Sequence, residues 1–492
     1  MTAVVVEVGE RPAAGALTWV LGTVVALRLA TLGLYPLSDT TEARYAEIAR
    51  KMVELGDWVT PWYDYGVPFW AKPPLSTWLT AASFKVLGIN EFAARLPHFL
   101  LAVFVAWLVW DWVRQRSERE ATIAVALLAG SALYFVAAGA VMTDIGLLAG
   151  TMLAMRGFWQ GLHGNQLQRR REGYLLFIGL AIGLLAKGPI ALVLAGLPIA
   201  LWAMVTGNIG TAWRALPWLP GTLLMLVLSV PWYGLAELHT PGFLNYFLIG
   251  EHWRRFTEPG WAGDRYGSAH AVARGTIWLY AWAACLPWTL LLLFATLGRR
   301  KAIPHRVEVD DRAWRPYLLF WGLAPCVFFT VSRNIIWTYA LPGLPALAML
   351  AAAWLARDPR RRRIETLISC GLALTAVVFT GFLITEQLSG GFKSAKAVVA
   401  AYEARKGSDA ALIFVGTHLY SPAFYSRGKA EQLKSVADLG ERLRPDGPAH
   451  SDRGAAFVAL QGGQSRELTR DVQQSLYFEG RFGAYELFSV RR

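Results

Sequence analysis

The stretch SDTTEARYAEIARKMVELGDWVTPWYDYGVPFWAKPPL covers Ser38–Leu75 and is the part of the chain around which the rest is organised. It is polar, charged and aromatic, yet it lies between two long apolar runs. Its first residues, Ser38–Thr41, are all possible N-caps, and acids follow where the first turn of a helix begins. An aromatic cluster comes next, and Lys72 stands directly before Pro73-Pro74, where its backbone is held extended. A connection this rich in cations, acids and rings predicts a functional site.

The remainder of the 492-residue chain has the composition of an integral membrane protein. Hydrophobic residues make up 55% of it, charged residues only 17%, and 22 residues are Trp. The net charge of +13 does not indicate a nucleic-acid partner, because the excess cations form short clusters between apolar runs, as in cytoplasmic loops. These clusters are Arg114/Arg116/Arg119, Arg169–Arg171, Arg299/Arg300/Lys301 and Arg360–Arg363. The cysteines, Cys285, Cys326 and Cys370, lie in separate apolar runs and indicate neither a disulfide framework nor a Cys-ligated metal.

The apolar runs predict an all-α integral membrane bundle with about 11–13 transmembrane helices. The runs are 15–34, 94–112, 121–138, 141–160, 173–186, 189–206, 216–236, 275–298, 316–332, 336–356 and 364–386. Because the cation clusters fall at alternate connections, they assign the N-terminus to the cytoplasm and the loops 38–93 and 237–274 to the outside.

The composition changes near Ser389, which divides the chain into a multispanning domain, 1–388, and a C-terminal domain, 389–492. Lys393–Arg405 is patterned as an amphipathic helix. Ala411–Val415, Ala455–Leu460 and Tyr485–Arg492 are patterned as strands. We expect a small soluble α/β domain on the same outer side as the large first loop.

Ionisable residues at the edges of the apolar runs gather on that predicted outer side. Such residues are costly in a membrane unless they are paired or line a cavity. Singly, each can be an ordinary interfacial or snorkelling residue, but their convergence favours a site. Cations there suit a phosphate, and carboxylates beside them can deprotonate a hydroxyl or help to bind a metal. Grooves between apolar helices suit a lipid tail, so the residues predict transfer from a lipid-phosphate carrier.

Several motifs resemble those of polyprenyl-phosphate-dependent glycosyltransferases. DTTEARYAEIARKM, GDWVTP and KPPLSTW are similar to the first external loop of that family. The likeness is nearest to the bacterial aminoarabinose (lipid A) transferases and more distant to the protein O-mannosyltransferases. MTD, LAKGP, PWY, EHWRRF and YALP follow in the family's order. The resemblance covers about residues 15–345 and implies a GT-C fold, which is a helical membrane bundle with a periplasmic cap.

The resemblance also implies roles for individual residues. Arg44 and Lys72 would bind the donor phosphate, with Arg255 in support. Asp144 matches a second family acid near the reaction centre, and His252 matches a position that can take part in binding a divalent metal. The expected substrate-binding residues are Tyr45, Lys187, Glu251, Arg333 and Tyr339.

The first-loop acid departs from the family pattern. The family has Asp directly before Glu, but here Thr41 precedes Glu42 and the other acid is Asp39. The catalytic acids are therefore expected among Asp39, Glu42 and Asp144. We favour Asp39 as the acceptor-side acid, with Glu42 as an orienting group, and the reverse assignment stays open.

The predicted function is sugar transfer at the periplasmic face of the bacterial inner membrane. The donor is a sugar on undecaprenyl phosphate, and the acceptor is a hydroxyl or phosphate of lipid A or another envelope glycan, with membrane lipids around the protein. An alternative within the class is transfer to protein Ser/Thr. A transporter or flippase of lipid-linked sugars is the alternative from another class, but it predicts inverted repeats and polar groups at mid-membrane. Here the charges gather at one face.

Overall fold

The computed structural model describes residues 15–164, 166–258, 260–267, 270–291, 309–405, 410–417, 419–443 and 456–490. Over these ranges the chain is mostly helical, with a small sheet near its C-terminal end. Every predicted apolar run contains helix. The cation cluster Arg299/Arg300/Lys301 and the last part of the run 275–298 lie outside the described residues.

The first half of the chain contains helices α1–α11, and a two-stranded hairpin, β1 (Trp62–Asp64) and β2 (Val67–Pro68), follows α2 in the first loop. The helices are α1 (Ala16–Thr31), α2 (Thr41–Leu55), α3 (Leu75–Leu87), α4 (Glu91–Val113), α5 (Glu118–Gly130), α6 (Ala132–Ala137), α7 (Asp144–His163), α8 (Gln166–Lys187), α9 (Ile190–Val205), α10 (Ile209–Ala215) and α11 (Trp218–His239).

The second half begins with a π-helix, Asn245–Arg254, and later contains a 3₁₀ helix, Trp337–Gly343. Its α-helices are α12 (Arg255–Thr257), α13 (Thr276–Ala284), α14 (Val309–Phe329), α15 (Leu344–Leu355), α16 (Arg361–Ser389), α17 (Lys396–Glu403), α18 (Ser421–Tyr425), α19 (Val436–Arg442) and α20 (Arg470–Gln474). Its strands are β3 (Ala411–Val415), β4 (Glu431–Leu433), β5 (Ala456–Gln461), β6 (Leu476–Phe482) and β7 (Tyr485–Val490).

Four helical segments are long and apolar enough to cross a bilayer: Glu91–Val113, Trp218–His239, Trp337–Leu355 and Arg361–Ser389. Helices α1 and α9 are shorter apolar helices. The outer faces of α11 and α16 expose aliphatic side chains such as Val227 and Val377, a surface that suits lipid. The other predicted runs form helices that are shorter or have polar ends, so their crossing of the membrane stays a prediction.

Helices α7 and α8 form an antiparallel pair whose backbones touch. A Cβ atom at Gly150 would lie 2.6 Å from the Gly183 nitrogen, and one at Gly157 would lie 2.4 Å from the Leu176 nitrogen. Only glycine allows so close an approach. The pair therefore fixes the start of α7 beside the end of α8, on the side where the first loop lies.

The C-terminal sheet has the strand order β4-β3-β5-β7-β6. Strand β3 is parallel to β4 and β5, whereas β7 is antiparallel to β5 and β6. Both faces are covered: Phe414 packs in a core with α17, and its neighbour Ile413 packs in a second core with α19 and α20. Burial on both faces explains why β3 is a continuous apolar run rather than an alternating one.

The sequence predicted much of this domain. The expected helix Lys393–Arg405 is α17, and the expected strands correspond to β3, β5 and β7; residue 455 and residues 491–492 lie outside the described ranges. Strands β4 and β6 were missed because they lie at the sheet edges. In β6, Tyr477 and Phe478 are exposed next to each other, which removes the alternating pattern of a half-buried strand.

Candidate active site

A cavity of about 570 Å³ opens where the first loop, the start of α7, the end of α8 and the segment after α11 meet. Of the described residues of the C-terminal domain, one, Tyr420, contributes to its lining. Polar and aromatic lining residues include Thr41, Arg44, Tyr45, Lys72, Asp144, Lys187, Glu251, His252, Arg255, Asp264, Tyr266, Asn334, Tyr339 and Tyr420. Most of the residues that the sequence singled out therefore converge on one cavity.

Arg44 is a half-buried cation at the wall of this cavity. Its Nη1 donates to the Tyr266 carbonyl over 2.7 Å. Its guanidinium carbon lies 5.3 Å from the ring centre of Tyr45, 5.8 Å from that of Phe69 and 5.7 Å from that of Tyr420. Its buried Nε has no hydrogen-bond partner, and no carboxylate among the described residues forms an ion pair with it. Within the described ranges, Arg44 is thus a cation that contacts aromatic rings and one carbonyl and has no carboxylate counter-ion.

Lys72 and Arg255 share one carboxylate, that of Glu251. Lys72 Nζ lies 3.0 Å from Glu251 Oε2, and Arg255 Nη1 donates to both carboxylate oxygens at 3.1 and 2.9 Å. Burial alone would raise the pKa of Glu251, but the Lys72 and Arg255 cations outweigh it and hold that pKa below its usual value. Glu251 is therefore ionised and keeps the two cations together.

The network continues from Arg255 to Arg44. Arg255 Nη2 lies 3.3 Å from Asp264 Oδ2, and Asp264 Oδ1 accepts from the Tyr266 backbone N–H at 3.0 Å. The carbonyl of Tyr266 in turn accepts from Arg44. Two cations of the first loop, Arg44 and Lys72, and one from the segment after α11, Arg255, thus face one cavity through a continuous set of contacts.

Asp144 and Lys187 form a second charged pair in the cavity. Lys187 Nζ lies 2.6 Å from Asp144 Oδ1 and 4.5 Å from the ring centre of Tyr339. The close α7–α8 packing brings the pair together, because Asp144 begins α7 and Lys187 ends α8. The sequence predicted both residues for the site but not their pairing.

Glu42 does not line the cavity. Its carboxylate receives two hydrogen bonds from Arg95, Nε to Oε1 at 3.0 Å and Nη2 to Oε2 at 2.8 Å, and one from the Val141 backbone N–H at 3.2 Å. Residues two apart on a helix point to different faces, so Glu42 and Arg44 cannot both face the cavity. Glu42 therefore ties α2 to α4 and to the segment before Asp144.

Asp39 also lies outside the cavity lining, contrary to the expectation that it reaches inward. Its Oδ1 accepts from the backbone N–H groups of Tyr420 and Ser421 at 2.8 and 2.9 Å, and the Ser421 hydroxyl donates to Oδ2. Burial raises the pKa of Asp39, although these hydrogen bonds act to lower it. Its carboxylate holds the C-terminal domain, and the α2 residue that faces the cavity nearby is Thr41.

Arg333 is the predicted substrate-binding residue that the structure turns away from the cavity. It is exposed, and its Nε donates to the Val272 carbonyl at 3.2 Å. The neighbouring Asn334 lines the cavity instead, donating through Nδ2 to the Arg255 carbonyl at 3.3 Å. The sequence therefore indicated the segment that reaches the cavity, and the side chain of that segment in the lining is Asn334.

His252 does not fit a metal ligand in this arrangement. Its Nδ1 lies 2.8 Å from the Phe247 carbonyl oxygen and its Nε2 lies 3.3 Å from the Lys187 carbonyl oxygen, so both ring nitrogens already face acceptors. Burial lowers the pKa of His252. Across the described ranges, no three His, Cys, Asp or Glu side chains group as a metal site would need. We derive no step through a metal.

Five of the cavity residues named above were not among the predicted site residues: Thr41, Asp264, Tyr266, Asn334 and Tyr420. The sequences around Asp264 and Tyr420 do not distinguish either residue from its neighbours, and Tyr420 belongs to the C-terminal domain. No periodicity or motif marks them. Only the tertiary fold brings them to the cavity.

Comparisons with known proteins agree with the sequence resemblance. The dolichyl-phosphate-mannose-protein mannosyltransferase family matches residues 24–247. The undecaprenyl phosphate-alpha-4-amino-4-deoxy-L-arabinose arabinosyl transferase of Edwardsiella ictaluri (strain 93-146) is 29% identical over 444 residues, covering 85% of this chain and 74% of that protein. The enzyme of the same name from Enterobacter sp. (strain 638) is 30% identical over 342 residues, 66% of this chain and 57% of that protein.

The fold is shared with a solved structure. The crystal structure of ArnT from Cupriavidus metallidurans bound to undecaprenyl phosphate aligns with a TM-score of 0.77 and 20% identity, over 96% of this chain and 98% of that one. Its apo state aligns with a TM-score of 0.78. Family match, named relatives and shared fold all confirm the resemblance seen in the sequence: the chain is similar to the polyprenyl-phosphate-dependent GT-C glycosyltransferases, which are related to the protein O-mannosyltransferases.

Proposed function

We propose that this chain transfers a sugar from an undecaprenyl-phosphate-linked donor to a phosphate of lipid A or of another envelope glycan. The named relatives use an aminoarabinose donor on undecaprenyl phosphate, and the related crystal structure holds undecaprenyl phosphate. The cavity described above is the site of the reaction. The single observation that carries the proposal is that Arg44 has no counter-ion among the described residues.

Arg44 is a half-buried guanidinium, with a buried Nε, and has no counter-ion among the described residues. An uncompensated buried charge is costly, so such a cation is normally completed by an anion. Lys72 and Arg255 already share the carboxylate of Glu251, whereas Arg44 offers an open side to the cavity. A phosphate of the donor supplies the missing charge and accepts the N–H groups that Arg44 presents.

The same cation assists the bond-breaking step. An acceptor oxygen attacks the anomeric carbon, the bond from that carbon to the phosphate oxygen breaks, and the electron pair leaves with undecaprenyl phosphate. The phosphate changes from a diester to a monoester and gains negative charge as the bond breaks. Arg44 therefore stabilises the leaving group more in the transition state than in the ground state, and Lys72 and Arg255 support it.

The carboxylates of the cavity favour a phosphate acceptor. Asp144 is paired with Lys187, and Glu251 and Asp264 are paired with Arg255. A carboxylate in an ion pair is a weak general base. An acceptor phosphate is already ionised and needs no base, whereas a Ser or Thr hydroxyl of a protein acceptor does. Asp144 then orients the acceptor or a cationic sugar, and Lys187 attracts the negative charge of the acceptor phosphate.

The proposed location is the bacterial inner membrane, with the cavity facing the periplasm. The four long apolar segments, the exposed aliphatic faces of α11 and α16, and the cation clusters at alternate connections support it. A lipid carrier can then keep its tail in the bilayer while its phosphate reaches Arg44. The clustering of charges on one side argues against a transporter.

Replacing Arg44 tests this function. Arg44→Ala should weaken binding of undecaprenyl phosphate to the purified protein by about 10- to 150-fold, because a hydrogen bond to a charged group contributes about 1.5–3 kcal/mol. Arg44→Lys should restore binding only in part, since a lysine cannot reproduce the planar donor set. Sugar transfer from the lipid-linked donor should fall in the same order.

Arg254→Ala is the matched control, because Arg254 is exposed, next to Arg255, and absent from the cavity lining. It removes one positive charge from the same side of the protein and should leave binding unchanged. A folded Arg44→Ala protein that binds undecaprenyl phosphate as tightly as the wild type would overturn the proposal.

A further inference from the structure

In the part of the C-terminal domain that the structure describes, one side chain reaches the cavity, that of Tyr420. This residue directly precedes α18 and is buried in the cavity lining. Its ring centre lies 5.7 Å from the guanidinium carbon of Arg44. Its hydroxyl lies 2.9 Å from that of Tyr63, and the two rings pack edge to face at 5.7 Å. A residue from the last quarter of the chain thus contacts the cation that carries the proposed function.

The backbone of Tyr420 is fastened to the first loop. Asp39 accepts from the N–H groups of Tyr420 and Ser421, and also from the Ser421 hydroxyl. At the other end of α18, the Tyr425 hydroxyl accepts from the Leu37 N–H at 2.7 Å and donates to Glu91 at 2.9 Å. The Asp39 contacts at the start of α18 therefore fix the position of Tyr420 relative to α2, and the Tyr425 contacts at its end dock the C-terminal domain.

The orientation of Arg44 depends on few contacts. Tyr266 provides its one hydrogen bond to a backbone carbonyl, and Tyr45 and Phe69 belong to the same first loop as Arg44 itself. Tyr420 is the ring that comes from outside this loop. A cation near an aromatic ring is attracted to it, more strongly where water is excluded. A guanidinium that is held in place before the ligand arrives loses less freedom on binding.

We propose that Tyr420 is a positioning residue for Arg44, and that the C-terminal domain thereby completes the site that binds the donor phosphate. The inference rests on the proposed function and adds a second domain to it. Asp39 acts indirectly, because its hydrogen bonds to the backbone of Tyr420 and Ser421 hold Tyr420 in position. The rival explanation is that Tyr420 only docks the C-terminal domain on the first loop, without an effect on Arg44.

The test compares two tyrosines of the same interface. Tyr420→Phe removes the hydroxyl, Tyr420→Leu removes the ring, and Tyr425→Phe removes a hydroxyl that also joins the two domains but lies outside the cavity lining. Binding of undecaprenyl phosphate, the melting temperature, and kcat and KM for the lipid-linked donor are measured for each full-length protein.

Tyr420→Phe should weaken binding of undecaprenyl phosphate about 2- to 10-fold, the size expected for one neutral hydrogen bond. Tyr420→Leu should weaken it further. The donor KM should rise more than kcat falls, because an ordered cation contributes first to binding. Tyr425→Phe should lower the melting temperature and leave both binding and KM at wild-type values.

A double variant separates positioning from docking. In the Arg44→Ala background, Tyr420→Phe should cause no further loss of binding, because the group that it positions is gone. An equal further loss, or equal losses in Tyr425→Phe and Tyr420→Phe, would overturn the inference. If Arg44→Ala itself binds normally, the proposed function fails as a whole. If only the Tyr420 variants bind normally, the function stands and the present inference is wrong.

Discussion

Glu42→Gln should destabilise the protein without removing a chemical group from the reaction. The partner of Glu42 is Arg95, whose side chain is 0% exposed, and two hydrogen bonds join them at 3.0 and 2.8 Å. Breaking a buried ion pair by changing one partner costs about 3–5 kcal/mol. Arg95 also donates to three backbone carbonyls, those of Leu32, Tyr35 and Pro36, and the glutamine keeps one acceptor. The expected loss is therefore lower, about 2–3 kcal/mol.

The assay has two parts, melting temperature in detergent and turnover per folded protein. The melting temperature of Glu42→Gln should fall by several degrees, at about 2–4 °C per kcal/mol for a domain of ordinary size. Turnover per folded protein should stay within about threefold of the wild type, a difference of less than 0.7 kcal/mol. A modest loss is expected because Glu42 also accepts from Val141, three residues before Asp144.

Glu54→Gln is the matched control. Glu54 lies on the same helix and pairs with Arg50 at 2.6 Å, but its side chain is 46% exposed. Exposed pairs contribute about 0–1 kcal/mol, so its melting temperature should barely change. A Glu42→Gln protein with wild-type melting temperature and no turnover would refute this reasoning and indicate that Glu42 takes part in the reaction.

Two other predictions concern acids outside and inside the cavity. Asp39→Asn should retain donor binding and turnover, because the amide oxygen still accepts the N–H groups of Tyr420 and Ser421. Asp39→Ala should weaken donor binding as Tyr420→Phe does. If a folded Asp39→Asn protein binds the donor normally but has no turnover, Asp39 is the catalytic acid. The lowered pKa of Glu251 means that its ionised form stabilises the fold above the usual glutamate pKa, and that this stability is lost as the pH falls through the lowered value. Between about pH 6 and pH 3.5 the melting temperature of the wild type should fall more than that of Glu251→Gln, and equal falls would contradict the shift.

The helices could be predicted because hydrophobicity is a local property of sequence. The run 216–236 became α11 and the run 364–386 lies within α16. The same holds for β3, whose burial on both faces leaves a continuous apolar signal. Edge strand β6 gave no such signal, since exposed Tyr477 and Phe478 follow each other.

The side chains of the cavity were predictable as a set but not as pairs. Charged residues at the ends of apolar runs are rare enough to stand out, and Arg44, Lys72 and Asp144 were found in this way. Which acid meets which cation depends on helix packing. Arg95, the partner of Glu42, lies inside an apolar run and was not considered. Likewise, nothing near Asp39 in the sequence indicates that its carboxylate is used by residues more than 380 positions later.

The contact between Asp39 and Ser421, 382 residues apart, also orders the biogenesis of the enzyme. A ribosome adds about 5–20 residues per second, so Tyr420 and Ser421 are synthesised about 20–80 s after Asp39. During that interval the membrane helices can insert and α2 can form, but Arg44 lacks one of its rings. From the proposed role of Tyr420, we expect a nascent chain to bind the lipid carrier more weakly than a chain that has been synthesised through the C-terminal domain.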